Sequence, residues 1–149
     1  MPPTLKSARV YLRRGYYLVH PLASSSGGAP TLFISPVAKL AEGADAAELG
    51  EAVSQALKAS RHNEPWPTNW KGVAQALFDA AGVKTESSFM KGAKGVRIDL
   101  GDNALEFIPS TSKIYPNAGA PLVDKIIKIP LTDARSLGDA VLQALAVSD

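Results

Sequence analysis

Hydrophobic and polar positions alternate over short stretches of this chain, and twice such stretches lead into an amphipathic helix. Val10 and Leu12, then Tyr16 and Leu18, alternate with more polar neighbours on either side of Arg14-Gly15. This is the pattern of paired half-buried strands, with a turn pair able to supply the positive φ of a tight hairpin. Val96, Ile98 and Leu100 alternate with Arg97 and Asp99, and Leu105 and Phe107 flank Glu106. Gly101-Asp102-Asn103 lies between them as a second turn. The β-rich runs TLFISP (31–36) and KIIKIP (125–130) each close on proline. Strands are expected to stop at Pro21, Pro36, Pro109 and Pro130, because proline cannot donate to a ladder. Leu49, Val53, Ala56 and Leu57 form one helical stripe, and Leu137, Val141, Ala144 and Leu145 form another. Asp45 precedes Glu48 at capping-box spacing, and Asp133 is the matching cap of the last helix. Gly50 and Gly138 each cost their helix roughly 1 kcal/mol. Their common position predicts a close approach of helix to sheet.

The two helical segments also align with each other. DAAELGEAVSQALKAS (45–60) and DARSLGDAVLQALAVS (133–148) superpose without gaps, and the order strand, turn, strand, proline, loop, strand, proline, helix precedes both. The predicted fold class is α+β: a mainly antiparallel sheet of about six strands with three to four helices. It is built from two βββα-like repeats, 8–60 and 94–148, within a single domain spanning 1–149. Between the repeats, 61–69 reads as a proline-punctuated loop. A helix is expected over 70–81, ended by Gly82, and a short helical turn within 85–94 on Phe89 and Met90.

Composition narrows the chemistry. The chain has no cysteine, which removes disulfides, thiolate metal sites and thiol catalysis. Sixteen basic and fourteen acidic residues leave a formal charge of +2, too small to steer the whole protein toward phosphate. No apolar run approaches the roughly 18 residues of a membrane span, and the start of the chain has no apolar signal core. The expectation is a soluble cytoplasmic protein.

Candidate chemistry is sparse. No metal-protease, Walker, dinucleotide-binding or nucleophile-elbow motif is present. His20 reads as a turn histidine at a strand end. His62 with Glu64 could act as an acid–base couple, which makes a small hydrolase one alternative. Asp99, Asp102 and Glu106 gather about one hairpin, where carboxylates serve acid–base or metal chemistry or simply face water. SSSGG (24–28) could cradle a phosphate through backbone amides, but no helix is expected directly after it and it reads as a plain flexible loop. Arg9, Arg13 and Arg14 beside Tyr11, Tyr16 and Tyr17 form the second alternative, a nucleic-acid surface. Trp66 and Trp70 either cap the core or anchor a partner, since tryptophan and arginine concentrate binding energy at interfaces. No catalytic, cofactor or metal residue is assigned.

The GYY strand, the Ser/Gly loop, the proline-ended strand and ELGEAVSQALKASR resemble the immunity proteins of contact-dependent growth inhibition (CDI). AGVKTESSFMKGAKGVRIDL and IPLTDARSLGDAVLQAL resemble the rest of that family. The landmarks here are Leu49 to Leu57 with Ser60 and Arg61, and Ala81 to Lys84 with Phe89. The resemblance runs from about residue 8 to 148. It implies a small cytoplasmic, non-enzymatic inhibitor; the free protein is expected to be a monomer, without cofactor, nucleic-acid or membrane partner. It would bind the C-terminal domain of one cognate CDI toxin, a nuclease, and occlude its active site or substrate surface. Expected contacts are Arg61, His62, Glu64, Trp66, Trp70, Asp99, Asp102 and Glu106, chosen for residue type and for their place on loops and hairpins. One departure stands out: nuclease inhibitors are often acidic to match a basic partner, and this chain is slightly basic.

Overall fold

A computed structural model describes residues 6–23, 32–34, 37–61, 75–84, 93–101, 104–110, 126–130 and 133–147. In chain order the elements are β1 (Lys6–Arg13), β2 (Tyr16–Ala23), β3 (Leu32–Phe33), β4 (Ala38–Ala41), α1 (Ala46–Ala59), α2 (Gln75–Ala81), β5 (Lys94–Leu100), β6 (Ala104–Ser110), β7 (Ile127–Pro130) and α3 (Ala134–Val147). The strands form one sheet in the order β3-β2-β1-β5-β6-β7, with β4 also on β2, and every strand pairing is antiparallel. The α+β class expected from the pattern is the one observed.

Local sequence explains the joints. Arg14 and Gly15 have φ of 47° and 85°, so the β1–β2 turn is the two-residue type whose twist matches its strands. The Asp45 carboxylate accepts the Glu48 N–H at 2.9 Å, and the Asp133 carboxylate accepts that of Ser136 at 2.9 Å. Each satisfies one of the donors left open at a helix start. Helix α2 ends in a Schellman motif. Gly82 turns to φ 74°, its N–H reaches Asp79 O at 3.2 Å, and the Val83 N–H reaches Phe78 O at 3.0 Å. The part of the predicted helix before Gln75 and the turn at Phe89 and Met90 lie outside the described residues.

Strands β2 and β6 do not stop at their prolines. Pro21 pairs with Ala8 inside β2, and Pro109 pairs with Val96 inside β6. The Pro21 carbonyl faces Ile34, so its missing donor also points outward, away from the β1 ladder. Pro109 lies beyond the stretch of β6 that β7 covers. Of the run expected as one strand over 31–36, the described strand residues are Leu32 and Phe33. The edge then resumes as β4, which the alternation did not reveal, and its register on β2 has moved by two residues. Among the described residues the first half therefore has four strands before its helix where three were expected.

One face of the sheet carries the main core. Ala8, Val10, Tyr17, Val19, Val96, Ile98, Leu105 and Phe107 meet Leu49, Val53, Leu57, Leu137, Val141 and Leu145 from α1 and α3. On the opposite face, Tyr11 and Leu18 pack with Leu77 of α2 and with Ala93. Strand β2 is consequently buried on both faces beyond Tyr16, which the alternation did not show. The close approach predicted at the glycines occurs between the helices, not against the sheet. A Cβ on Gly50 would collide with the Ala134 carbonyl, and one on Gly138 with the Ala46 carbonyl. The contact is reciprocal and lets two backbones touch at their crossing.

Ser60, the last residue of the α1 cap, fastens this layer to the sheet. Its buried hydroxyl donates to Leu22 O at 2.7 Å and accepts the Ser7 N–H at 3.0 Å. Ser60→Ala leaves a buried donor and a buried acceptor without that partner. The expected loss is about 2–3 kcal/mol, since each orphaned group costs roughly 1–3 kcal/mol. Urea denaturation checks it, and a midpoint equal to wild type would mean that water replaces the hydroxyl.

Candidate functional site

Strand register assembles a charged row across the sheet face opposite α1 and α3. Leu22, Ser7, Asp99, Glu106 and Lys128 stand opposite one another on β2, β1, β5, β6 and β7. The Ser7 hydroxyl donates to Asp99 Oδ1 at 2.6 Å, and Arg97 Nη2 donates to Asp99 Oδ2 at 3.2 Å. Glu106 faces Lys128 at 3.7 Å, with both side chains substantially exposed. At that exposure the pair is worth little to stability.

The neighbouring row is His20, Arg9 and Arg97 on β2, β1 and β5. Arg9 and Arg97 are directly opposed, which is unfavourable for like charges. Two arrangements offset it: Arg97 engages Asp99, and Arg9 Nη1 donates to the Tyr11 hydroxyl at 3.2 Å. His20 is a buried residue within β2 and not a turn histidine. Its Nδ1 donates to the Pro21 carbonyl at 2.8 Å, and its ring stacks on Tyr11 at 6.0 Å. Burial pushes its pKa down to about 4. The Pro21 carbonyl opposes that shift and the Arg9 charge reinforces it. The imidazole is therefore neutral at physiological pH and takes part in packing.

The expected contact residues separate accordingly. Arg61 is exposed and bridges to Ala23 just after Ser60, at the end of the sheet where Ser7 reaches Asp99. Asp99 and Glu106 are cross-strand neighbours. The Asp99 side chain is only 12% exposed and is held by two donors, whereas Glu106 is open to solvent. His62, Glu64, Trp66, Trp70 and Asp102 lie outside the described residues. Among the described residues, no three His, Asp or Glu side chains gather as a metal site, and no helix is long and apolar enough to cross a membrane.

Of the arginine–tyrosine set, Tyr17 alone leaves the others. Arg9, Tyr11 and Arg13 lie on the α2 side of β1, while Tyr17 joins the core under α1. Arg13 and Arg14 meet Tyr16 and Lys39 in a cleft beside the end of α2. Lys39 was not singled out in the sequence. Its signal was the short segment AKLA, too weakly alternating to announce a strand.

One antiparallel sheet, two touching helices behind it and a charged strand-borne surface in front define a class of small α+β domain. Solved structures share it. A protein of unknown function from Neisseria meningitidis, NMB0488, is 19% identical, with a TM-score of 0.80 over 100% of this chain and 98% of that one. A CdiA-CT/CdiI toxin and immunity complex from Yersinia pseudotuberculosis contains a chain 15% identical, with a TM-score of 0.77 and 100% of both chains covered. At these identities the likeness concerns the fold. No curated protein matches the chain by sequence. The family model for CdiI, the CDI immunity protein, matches residues 6–148, and the chain belongs to that family.

Proposed function

We propose that this immunity protein binds the C-terminal domain of one cognate CDI toxin, a nuclease, in the cytoplasm and blocks its active site or substrate surface without chemistry of its own. The observation that carries this reading is the family match over 6–148. The fold shared with a chain of a toxin and immunity complex supports it. Arg61 and Glu106 present exposed charge at one end of the sheet, and the segment with His62, Glu64, Trp66 and Trp70 continues directly from Arg61. Together with Asp99 and Asp102 these are the contacts we assign. An interface of ordinary size buries about 1,200–2,000 Å² in total.

Co-expression with the toxin domain encoded beside this chain tests the reading. The expected result is a stable complex, restored growth, and toxin activity that falls linearly to zero at equimolar inhibitor. Loss of toxin activity at a small fraction of that ratio would indicate catalysis. No complex and no rescue, with both proteins folded, would overturn the proposal.

A further inference from the structure

At the opposite end of β1 from Ser7, the β1–β2 hairpin, β4 and the C-terminal end of α2 enclose a cleft of about 160 Å³. Three cations line it, Arg13, Arg14 and Lys39, and no described lining residue is acidic. The acidic residues carried nearby, Asp79 and Glu42, do not line the cleft, and Asp79 accepts from Gln75. Among the described residues neither Arg14 nor Lys39 has a carboxylate at ion-pair distance. The cations crowd one another: Arg13 is buried, and burial followed by the Arg14 charge lowers its pKa.

Two further features suit a charged visitor. Lys39 Nζ sits 4.3 Å from the centre of the Tyr16 ring, which fixes the ammonium while leaving Tyr16 45% exposed. Arg14 holds a left-handed φ of 47° at the first turn position. Asn, Asp or Gly adopts that conformation at lower cost. A long cation is thus kept at the cleft mouth in a conformation its residue type disfavours, a pattern found at functional sites.

We propose that this cleft receives an acidic side chain of the toxin, its carboxylate between Arg14 and Lys39 and its stem against Tyr16 and Leu18. The proposal rests on the toxin-binding reading above and adds the chemistry of the partner: the toxin face that docks here is acidic. It also accounts for a net charge of +2 on an inhibitor, since complementarity then requires local basicity.

The test is binding of the purified cognate toxin domain to wild type and to variants at several salt concentrations. The double variant Arg14→Glu with Lys39→Glu should lose about 100-fold in affinity, mostly through slower association, and most of the salt dependence. Arg14→Asn should bind about tenfold more weakly yet melt about 2 °C higher, because the turn is relieved of strain while the contact is lost. Arg14→Asn remains decisive if the double variant does not fold. Folded variants within twofold of wild-type affinity would overturn the cleft proposal and leave the immunity reading intact. Absence of wild-type binding would remove both. Salt-sensitive binding of a single-stranded oligonucleotide, lost in the variants while toxin affinity holds, would assign the cleft to nucleic acid and overturn the proposal.

Discussion

Replacing Gly50 with alanine is expected to destabilise this protein by about 3 kcal/mol, lowering its melting temperature by about 10 °C. Helix propensity alone points the other way, since alanine favours a helix over glycine by roughly 1 kcal/mol. The crossing decides the sign. The new methyl group would meet the Ala134 backbone carbonyl and the Gly138 nitrogen, atoms that cannot rotate aside as a side chain can. Helices α1 and α3 must then separate, loosening Leu49, Val53, Leu137 and Val141 where both helices share the core. Gly138→Ala meets Ala46 in the same way and should behave alike. The two substitutions should be less than additive, because one separation makes room for both methyl groups. Gly43 provides the control, as a Cβ there meets nothing within 4 Å. Thermal unfolding followed by circular dichroism checks the result, and a Gly50→Ala protein melting at or above wild type would refute the backbone contact.

Acid should weaken the fold through His20. Burial, with help from the Arg9 charge, brings its native pKa down to about 4, from about 6.5 in the unfolded chain. Between those values the unfolded state binds a proton that the native state refuses, so stability rises with pH across this window. The contribution is fully present above about pH 6.5 and is lost as pH falls through about 4. It amounts to about 3 kcal/mol in all, and about 2.5 kcal/mol between pH 7.5 and 4.5. His20→Gln keeps a polar side chain without the titration. Urea unfolding at the two pH values should therefore show a smaller loss for the variant, by about 2.5 kcal/mol. Equal losses would mean that His20 gains its proton without unfolding the site.

What the sequence made legible was local. Arg14-Gly15 announced a hairpin because two positive-φ positions between alternating strands leave few other conformations. Asp45 and Asp133 announced helix starts because a short carboxylate can satisfy the N–H three residues on. The Leu49–Leu57 and Leu137–Leu145 stripes named the helix faces that enter the core. The family landmarks are largely these same packing positions, which is why the family could be recognised while its contact surface could not.

Other features were set by partners far along the chain. Gly50 announced a close approach, but only the packed fold shows that its neighbour is another helix. Strand β4 exists because β2 presents an open edge to a segment with little strand character of its own. Asp99 looked like a hairpin-tip acid, yet Ser7 and Arg97 hold it within the sheet.

By itself, the sequence determined an α+β chain with capped amphipathic helices and a tight first hairpin, because turns, caps and stripes are interactions over a few residues. Only the tertiary structure decided that two helices meet backbone to backbone, that β2 is covered on both faces, and that Lys39 joins Arg13 and Arg14. Those juxtapositions depend on strand register and helix crossing, and no spacing along one chain encodes which distant side chains a folded sheet will place side by side.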